Sequence, residues 1–88
     1  MKITGVVLQR GFEKSYLKLS KKIKYAFREK RGLLLHAPFH PLLSNHPLQG
    51  EWRNHWSINI TGDLRAIYRL EGETAIFVAI GTHSELYS

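Results

Sequence analysis

Hydrophobic residues recur with different spacings along the 88-residue chain, and each spacing predicts a different element. The segment from Ile3 to Leu8 is apolar or β-branched apart from Gly5, which predicts a first strand. From Phe12 onward the spacing changes to steps of three and four residues, the pattern of one amphipathic helix or of two short helices in series. The apolar stripe consists of Phe12, Tyr16, Leu19, Ile23 and Phe27.

Glycine and proline residues in the middle of the chain limit how far a helix can extend. We expect Gly32 to interrupt the helical stripe, because glycine lowers helix stability. Pro38, Pro41 and Pro47 disfavour a long helix beyond that point, since proline lacks the backbone N–H that a helix needs. Residues 37–50 are therefore predicted to form a loop.

The second half of the chain predicts a meander of three strands, at residues 52–60, 63–70 and 74–80. They are separated by the turn sequences Thr61-Gly62 and Glu71-Gly72-Glu73. Such short connections imply antiparallel neighbours. The last strand, AIFVAI, shows no alternation, which predicts a well-buried central strand.

Alternation of side chains divides the predicted sheet into a core face and a polar, cationic face. Ile58 and Ile60 fall on the core face. Trp52 and Trp56 are four residues apart and are expected to share a strand face as packing residues. The polar face is predicted to carry His55, Ser57, Asn59, Asp63, Arg65 and Arg69, together with Ile67.

These elements predict a single α+β domain spanning residues 1–88, in the order β-α-α-β-β-β. Its two helices would pack on one face of an antiparallel sheet. The 43% of hydrophobic residues is enough for a modest core. Cysteine is absent, which excludes a disulfide and fits a reducing compartment. With neither a secretory leader nor an apolar run long enough for a membrane span, we expect a soluble cytoplasmic protein.

The positive charge is concentrated in residues 10–31, called the basic segment below. It carries nine cationic side chains against Glu13 and Glu29, a balance of +7, whereas the whole chain has a net charge of +6. Such a local field attracts polyanions, above all nucleic acid, although a solvated helix face is an equally good interpretation. The cations are Arg10, Lys14, Lys18, Lys21, Lys22, Lys24, Arg28, Lys30 and Arg31.

Three further segments bear candidate chemistry: HPLQGEW at 46–52, GDLRAIY at 62–68 and GTHSELY at 81–87. In this order and at these separations they resemble the RelE/ParE toxin superfamily, and within it the YafQ-like branch of ribosome-dependent mRNA interferases. The resemblance covers essentially the whole chain. It implies a type II toxin that is neutralised by a cognate antitoxin and that cuts mRNA on the ribosome. The implied reaction is attack of a ribose 2′-hydroxyl on the adjacent phosphate, with no metal or other cofactor.

The resemblance also implies roles for individual residues, with imidazoles suited to acid–base work near neutral pH. His46 matches a loop histidine with an acid/base role, and His83 matches a tail histidine that acts as general acid. Without the resemblance, each would be interpreted as an ordinary surface histidine. Asp63 matches a strand aspartate that orients a histidine, although Gly62-Asp63 is also ordinary turn chemistry.

Two more residues are implied in catalysis. Arg65 would hold the scissile phosphate through its planar guanidinium. Tyr87 would stack on a base or take part in proton transfer, the alternative being a hydrophobic plug at the chain end. We further predict that Lys21, Lys22 and Lys24 contact ribosomal RNA and that Asn59 and Arg69 contact RNA on the polar face.

Asn59 departs from the family pattern, which has a strand histidine at this position and an aspartate where Ser57 stands. An amide cannot transfer a proton, so either the remaining residues suffice or the enzyme is slow. His55 lies on the same predicted face but about 13 Å away at strand rise. A catalytically weakened protein that keeps antitoxin binding is therefore one alternative, and a ParE-like DNA gyrase poison, which has no use for His46 and His83, is another.

Five histidines raise the question of a metal site. His36 and His40 have the i,i+4 spacing of a helical metal pair, but Pro38 between them argues against a helix there. No cysteine or acidic cluster completes a ligand set. The sequence therefore predicts no metal.

Overall fold

A computed structural model describes residues 1–87, in which strands and helices follow one another as β1-α1-α2-β2-β3-β4-β5-α3. Two short 3₁₀ turns, Pro41–Leu43 and Gly50–Trp52, lie on either side of β2. The elements are β1 Gly5–Leu8, α1 Arg10–Leu17, α2 Lys21–His36, β2 His46–Pro47, β3 Trp56–Thr61, β4 Leu64–Glu71, β5 Thr74–Thr82 and α3 His83–Tyr87.

The apolar stripe forms two helices in series, one of the two arrangements it predicted. The break falls at residues 18–20, where the Ser20 side chain accepts a hydrogen bond from the backbone N–H of Ile23. This contact caps the first turn of α2 and satisfies one of its free donors. Phe12 and Phe27 are almost completely buried, so the stripe faces the core as predicted.

The predicted interruption at Gly32 is wrong, because α2 continues through Gly32 to His36. A glycine inside a helix costs only about 1 kcal/mol, and the fully buried Leu34 beyond it offsets that cost by packing in the core. The helix ends before Pro38, whose ring disfavours helical backbone at Ala37.

The strands form one sheet in the order β1-β5-β4-β3-β2. The meander of β3, β4 and β5 is antiparallel as predicted, and β5 lies inside the sheet. However, β1 runs parallel to β5, so the sheet is mixed and not wholly antiparallel. The two helices between β1 and the meander form a long connection, which allows a parallel strand pair. The α+β class and the packing of α1 on β5 and of α2 on β3 confirm the predicted architecture.

The segment from residue 46 to residue 56 differs from its prediction. A strand was expected from residue 52, but β3 begins at Trp56, and Trp52 ends a 3₁₀ turn. Trp52 and Trp56 therefore do not share a strand face. Within the predicted loop, His46 and Pro47 pair with β3 as the edge strand β2.

A β-bulge interrupts the pairing of β5 with β4. Ile67 pairs with Ala79 and Tyr68 pairs with Phe77, so Val78 has no partner in the described sheet. The extra residue reverses the alternation. Before the bulge Phe77 points into the core, and after it Ile80 does.

Four aromatic rings join the helices to the sheet. Phe12 of α1 and Phe27 of α2 both pack on Phe77 of β5, with ring centroids 5.6 and 5.2 Å away. Tyr68 of β4 lies 5.3 Å from the same ring. This cluster fixes the helical layer on one face of the sheet and leaves the other face for the candidate site.

None of the helices in residues 1–87 is long and apolar enough to cross a membrane.

Candidate active site

A cleft of about 420 Å³ opens on the sheet face opposite α1 and α2. Four of the five residues predicted to act in catalysis line it, although they are spread over more than forty positions of the chain. The lining residues are His46, Leu48, Gln49, Arg65, His83 and Tyr87.

Strand register brings the cleft residues together. Arg65 of β4 lies between Asn59 of β3 and Gly81 of β5 in one cross-strand row. In the next row Ser57 lies between His46 of β2 and Ile67 of β4. Paired residues project from the same face of a sheet. His46 and Arg65 therefore rise from adjacent rows of one face, beside the point where Gly81 leads into α3.

This face is less open than the alternation predicted. Ser57 and Ile67 are fully buried, yet neither belongs to the main core cluster on the helical side. The polar, cationic character is therefore confined to the cleft and to the strand ends. Ser57 Oγ is buried and has no hydrogen-bond partner among the described residues.

The loop before β2 is tied to the core through Asn45. The Tyr68 hydroxyl donates to Asn45 Oδ1 at 2.8 Å, and Asn45 Nδ2 donates to the Pro38 carbonyl at 2.9 Å. Burial raises the pKa of Tyr68 to about 12, so the phenol keeps its proton and remains a donor. These bonds fix the chain immediately before His46.

The His46 ring is oriented by the backbone two residues earlier. Its Nδ1 lies 2.7 Å from the Ser44 carbonyl oxygen, and a carbonyl only accepts, so Nδ1 carries the proton. Ser44 adopts the left-handed conformation, with φ 45°, which turns its carbonyl toward the ring. In the neutral imidazole the lone pair is then on Nε2, which can accept a proton as a general base.

The Arg65 guanidinium makes one side-chain hydrogen bond, while another of its N–H groups has no partner within residues 1–87. Its Nη1 donates to Asn59 Oδ1 at 3.2 Å, whereas its buried Nε has no hydrogen-bond partner among residues 1–87. An unpaired buried donor is costly, and more so in a charged group. The Tyr87 hydroxyl is likewise buried and unpaired within the described chain.

His83 and Tyr87 share one face of α3, being four residues apart. Their ring centroids are 4.7 Å apart and the rings meet edge to face, at 61°. The segment after Thr82 is therefore a short helix that presents both side chains to the cleft.

Side-chain hydrogen bonds hold both ends of α3. At its start the Thr82 N–H donates to Glu85 Oε1 at 2.7 Å, and the Glu85 N–H donates to Thr82 Oγ1 at 3.3 Å. The bonds from the Thr82 backbone and side chain hold the pKa of Glu85 below its usual value. Near its end, Trp52 Nε1 donates to the Leu86 carbonyl at 2.9 Å.

Other predicted site residues lie elsewhere. Asp63 is exposed in the two-residue turn between β3 and β4 and does not line the cleft. Arg69 is ion-paired to Glu71 at 3.0 Å and donates to Gln9 at 3.3 Å, also away from the cleft. His55, considered as a substitute for Asn59, donates from Nδ1 to the Arg53 carbonyl at 3.0 Å and lies outside the lining.

The three lysines predicted to contact RNA lie in the first turn of α2. Lys21 and Lys22 are exposed, and Lys24 is half-buried with its Nζ 5.9 Å from the Tyr16 ring centroid. In residues 1–87 the only ion pair joins Arg69 to Glu71, so the basic segment is not neutralised by acidic side chains.

Sequence reasoning missed several residues that shape the cleft. Leu48 and Gln49 line it, and both lie in the HPLQGEW motif that gave His46. Asn45, Trp52 and Glu85 position its walls. The capping-box pattern of Thr82 and Glu85 was visible in the sequence, whereas the contacts of Asn45 and Trp52 depend on the tertiary fold.

Within residues 1–87, no group of three or more histidine, cysteine, aspartate or glutamate side chains is arranged to hold a metal ion.

Comparison with known proteins gives a family and several similar folds. A family model described as the bacterial toxin YafQ of type II toxin–antitoxin systems matches residues 5–88. A chain of the Escherichia coli DinJ-YafQ toxin–antitoxin complex is 25% identical, with a TM-score of 0.75 over 98% of this chain and 100% of that chain. No curated protein sequence matches this chain.

Two other solved structures are less than 25% identical and show similarity of fold. YafQ from Escherichia coli BL21(DE3) is 24% identical, with a TM-score of 0.76 over 94% of this chain and 97% of that chain. The toxin–antitoxin complex RelBE2 from Mycobacterium tuberculosis contains a chain that is 21% identical, with a TM-score of 0.75 over 92% of this chain and 99% of that chain.

Proposed function

This chain belongs to the YafQ family of bacterial toxins of type II toxin–antitoxin systems, and we propose that it is a ribosome-dependent endoribonuclease. It cleaves mRNA in the cytoplasm and thereby inhibits translation. The observation that carries the proposal is the cleft that joins two imidazoles, a guanidinium and a phenol. Its residues are His46, His83, Arg65 and Tyr87.

The proposed reaction begins at His46. Its Nε2 removes the proton from a ribose 2′-hydroxyl, and the 2′-oxygen attacks the adjacent phosphorus. His83, in its protonated form, donates a proton to the leaving 5′-oxygen as the P–O bond breaks. The products are a 2′,3′-cyclic phosphate and a 5′-hydroxyl end. The hydrogen bond to the Ser44 carbonyl supports this assignment, because it leaves Nε2 of the neutral His46 ring free to accept.

Arg65 stabilises the charge that accumulates on the phosphorane. The guanidinium N–H groups that face the cleft donate to non-bridging phosphate oxygens, while Asn59 holds Nη1. The Tyr87 ring, which also lines the cleft, stacks on a flanking base. Asp63 has no direct part, since it lies in the turn outside the cleft.

The decisive test is to map mRNA ends after incubation with the purified protein, with and without ribosomes. Cleavage within coding sequence that requires ribosomes and leaves 5′-hydroxyl ends supports the proposal. DNA damage with intact transcripts would assign the protein to gyrase inhibition, and antitoxin binding with neither effect would indicate a catalytically weakened member.

The partners of this proposal are the ribosome with its mRNA, and a cognate antitoxin. A similar chain occurs in a DinJ-YafQ toxin–antitoxin complex. We propose that an acidic or amphipathic segment of the antitoxin occupies the cleft, because carboxylates complement a site built for phosphate.

The basic segment is proposed to dock on ribosomal RNA. Replacing Lys21, Lys22 and Lys24 with glutamate should weaken ribosome binding and reduce its salt dependence, because fewer counterions are released. The fold should survive, since these side chains lie outside the core cluster. Binding measured across a salt series gives the result, with Lys2→Glu as a control outside the segment. Equal affinity and salt slope for mutant and native protein would reject this role.

Asn59 is proposed to position Arg65 as well as to face RNA. Asn59→Ala removes the acceptor of the Arg65 Nη1 hydrogen bond and should lower the single-turnover cleavage rate by about tenfold. Substrate binding should change less than the rate. A rate equal to that of the native protein would show that Arg65 holds its position without Asn59.

Asn59→His tests whether the missing histidine limits the reaction. An imidazole accepts the same hydrogen bond and also titrates near neutral pH. If proton transfer is rate-limiting, cleavage should accelerate within the range of about 10²–10⁴-fold known for acid–base catalysis, with a gain that depends on pH. A rate and pH profile equal to those of the native protein would show that the four cleft residues already suffice.

A further inference from the structure

The five-residue helix α3 carries two of the four proposed catalytic side chains. A helix this short has little stability of its own, because nucleation is unfavourable and few backbone bonds follow it. The positions of His83 and Tyr87 must therefore come from contacts outside the helix backbone. Besides the contact between the His83 and Tyr87 rings, three contacts made by other residues provide such support.

The first contact is the reciprocal pair of hydrogen bonds between Thr82 and Glu85. The carboxylate accepts from the Thr82 N–H at 2.7 Å, and the Thr82 hydroxyl accepts from the Glu85 N–H at 3.3 Å. This capping box closes the first turn of the helix around His83. Glu85 is exposed and is not among the residues lining the cleft.

The second contact comes from the opposite wall. Trp52, six residues after His46, donates its indole N–H to the Leu86 carbonyl at 2.9 Å. The last carbonyls of a helix lack partners inside it, so this bond satisfies one of them. It also ties the segment that carries His46 to the helix that carries His83.

The third contact is the close approach of α3 to β5 at Gly81. A Cβ on Gly81 would lie 3.3 Å from the Cβ of Glu85 and 3.2 Å from its Oε1. The glycine thus allows the capped turn to rest directly on the strand.

We propose that Glu85 and Trp52 are positioning residues that hold α3 against the sheet, so that His83 faces the same phosphate as His46 and Arg65. The effect of these two residues on cleavage rests on the proposed nuclease function, whereas their effect on the placement of the His83 ring does not. Neither residue belongs to the main core cluster. Losing either contact should unfold this five-residue helix locally, so that His83 and Tyr87 lose their fixed geometry, without unfolding the domain.

The test compares Glu85→Ala and Trp52→Phe with matched controls in the full chain. Glu85→Gln keeps an oxygen acceptor for the Thr82 N–H, and Glu73→Ala removes an equal charge from the exposed turn between β4 and β5. Trp56→Phe makes the same substitution at a tryptophan that packs on Phe39. The readouts are the NMR resonances of the histidine rings, single-turnover cleavage on ribosomes and thermal melting.

In Glu85→Ala and Trp52→Phe we expect the His83 ring resonances to move toward those of free histidine, because the Tyr87 ring no longer shields them in one fixed geometry. Cleavage should fall about fivefold to tenfold, the size of one lost hydrogen bond. His46 resonances in Glu85→Ala, melting temperature and all three controls should stay near native, with Glu85→Gln restoring most of the rate.

Unchanged His83 resonances in both test variants would overturn the proposal, whatever their activity. If the native protein cleaves no mRNA, the proposed function fails, but the NMR comparison still decides whether these two residues position α3. Unfolding of Trp52→Phe would overturn the part assigned to Trp52, since it would show a role in global stability. The comparison of Glu85→Ala with Glu85→Gln then decides whether Glu85 positions α3.

Discussion

His83→Ala is expected to lower the single-turnover rate of mRNA cleavage on ribosomes by about 10²–10⁴-fold, the contribution of a positioned general acid. The proposed leaving group is a 5′-oxygen, which departs poorly unless it is protonated. His83 is exposed on α3 and outside the core, so the fold should be unaffected. Growth inhibition in cells should disappear at equal expression.

The matched control is His36→Ala. His36 is also an exposed helical histidine, but it ends α2 and lines a different cleft. Circular dichroism and melting of both variants should resemble the native protein. Full toxicity of His83→Ala at equal expression would remove His83 from the catalytic assignment.

Arg65→Ala is expected to reduce the same rate by about 10²–10³-fold, the usual effect of removing one preorganised donor to a transition-state anion. Arg65→Lys should recover only part of this loss. A lysine restores the charge but not the planar fork, and it has no equivalent of the buried Nε that now lacks a partner among the described residues.

Arg69→Ala is the appropriate control, because Arg69 lies on the same strand and face but is engaged with Glu71 and Gln9. Rates, substrate affinity and melting should be measured together for all three variants. Native cleavage by Arg65→Ala, or an equal loss in Arg69→Ala, would contradict a specific phosphate contact at residue 65.

Local sequence patterns predicted most helices and strands of this fold, whereas they did not predict which distant strands pair. The apolar stripe from Phe12 to Phe27 predicted helical structure, because the residues buried on one face of a helix recur every three or four positions. This spacing is visible in a single sequence. The parallel pairing of β1 with β5 joins residues about seventy positions apart. No local spacing encodes that partner, so an antiparallel sheet was expected.

The sequence predicted which residues form the candidate site better than it predicted the local structure that carries them. Motifs singled out His46, Arg65, His83 and Tyr87, and the structure places all four in one cleft. Asp63 failed to join them because strand alternation does not hold through a two-residue turn. The sequence does not predict the helix α3, since five residues are too few to show a helical period.

Because of the bulge at Val78, the face on which β5 places its last residues depends on the number of residues in the strand. The bulge lets one strand send Phe77 into the core and still deliver Gly81 to the row of Arg65. Deleting Val78 would remove the bulge and leave Ala79 paired with Ile67 and Gly81 paired with Arg65, whereas inserting one more residue between Phe77 and Gly81 would turn the chain end toward the other face and carry His83 away from Arg65. Across homologous sequences, a gap of one residue at Val78 should therefore be compatible with an intact cleft, whereas single-residue insertions between Phe77 and His83 should be rare.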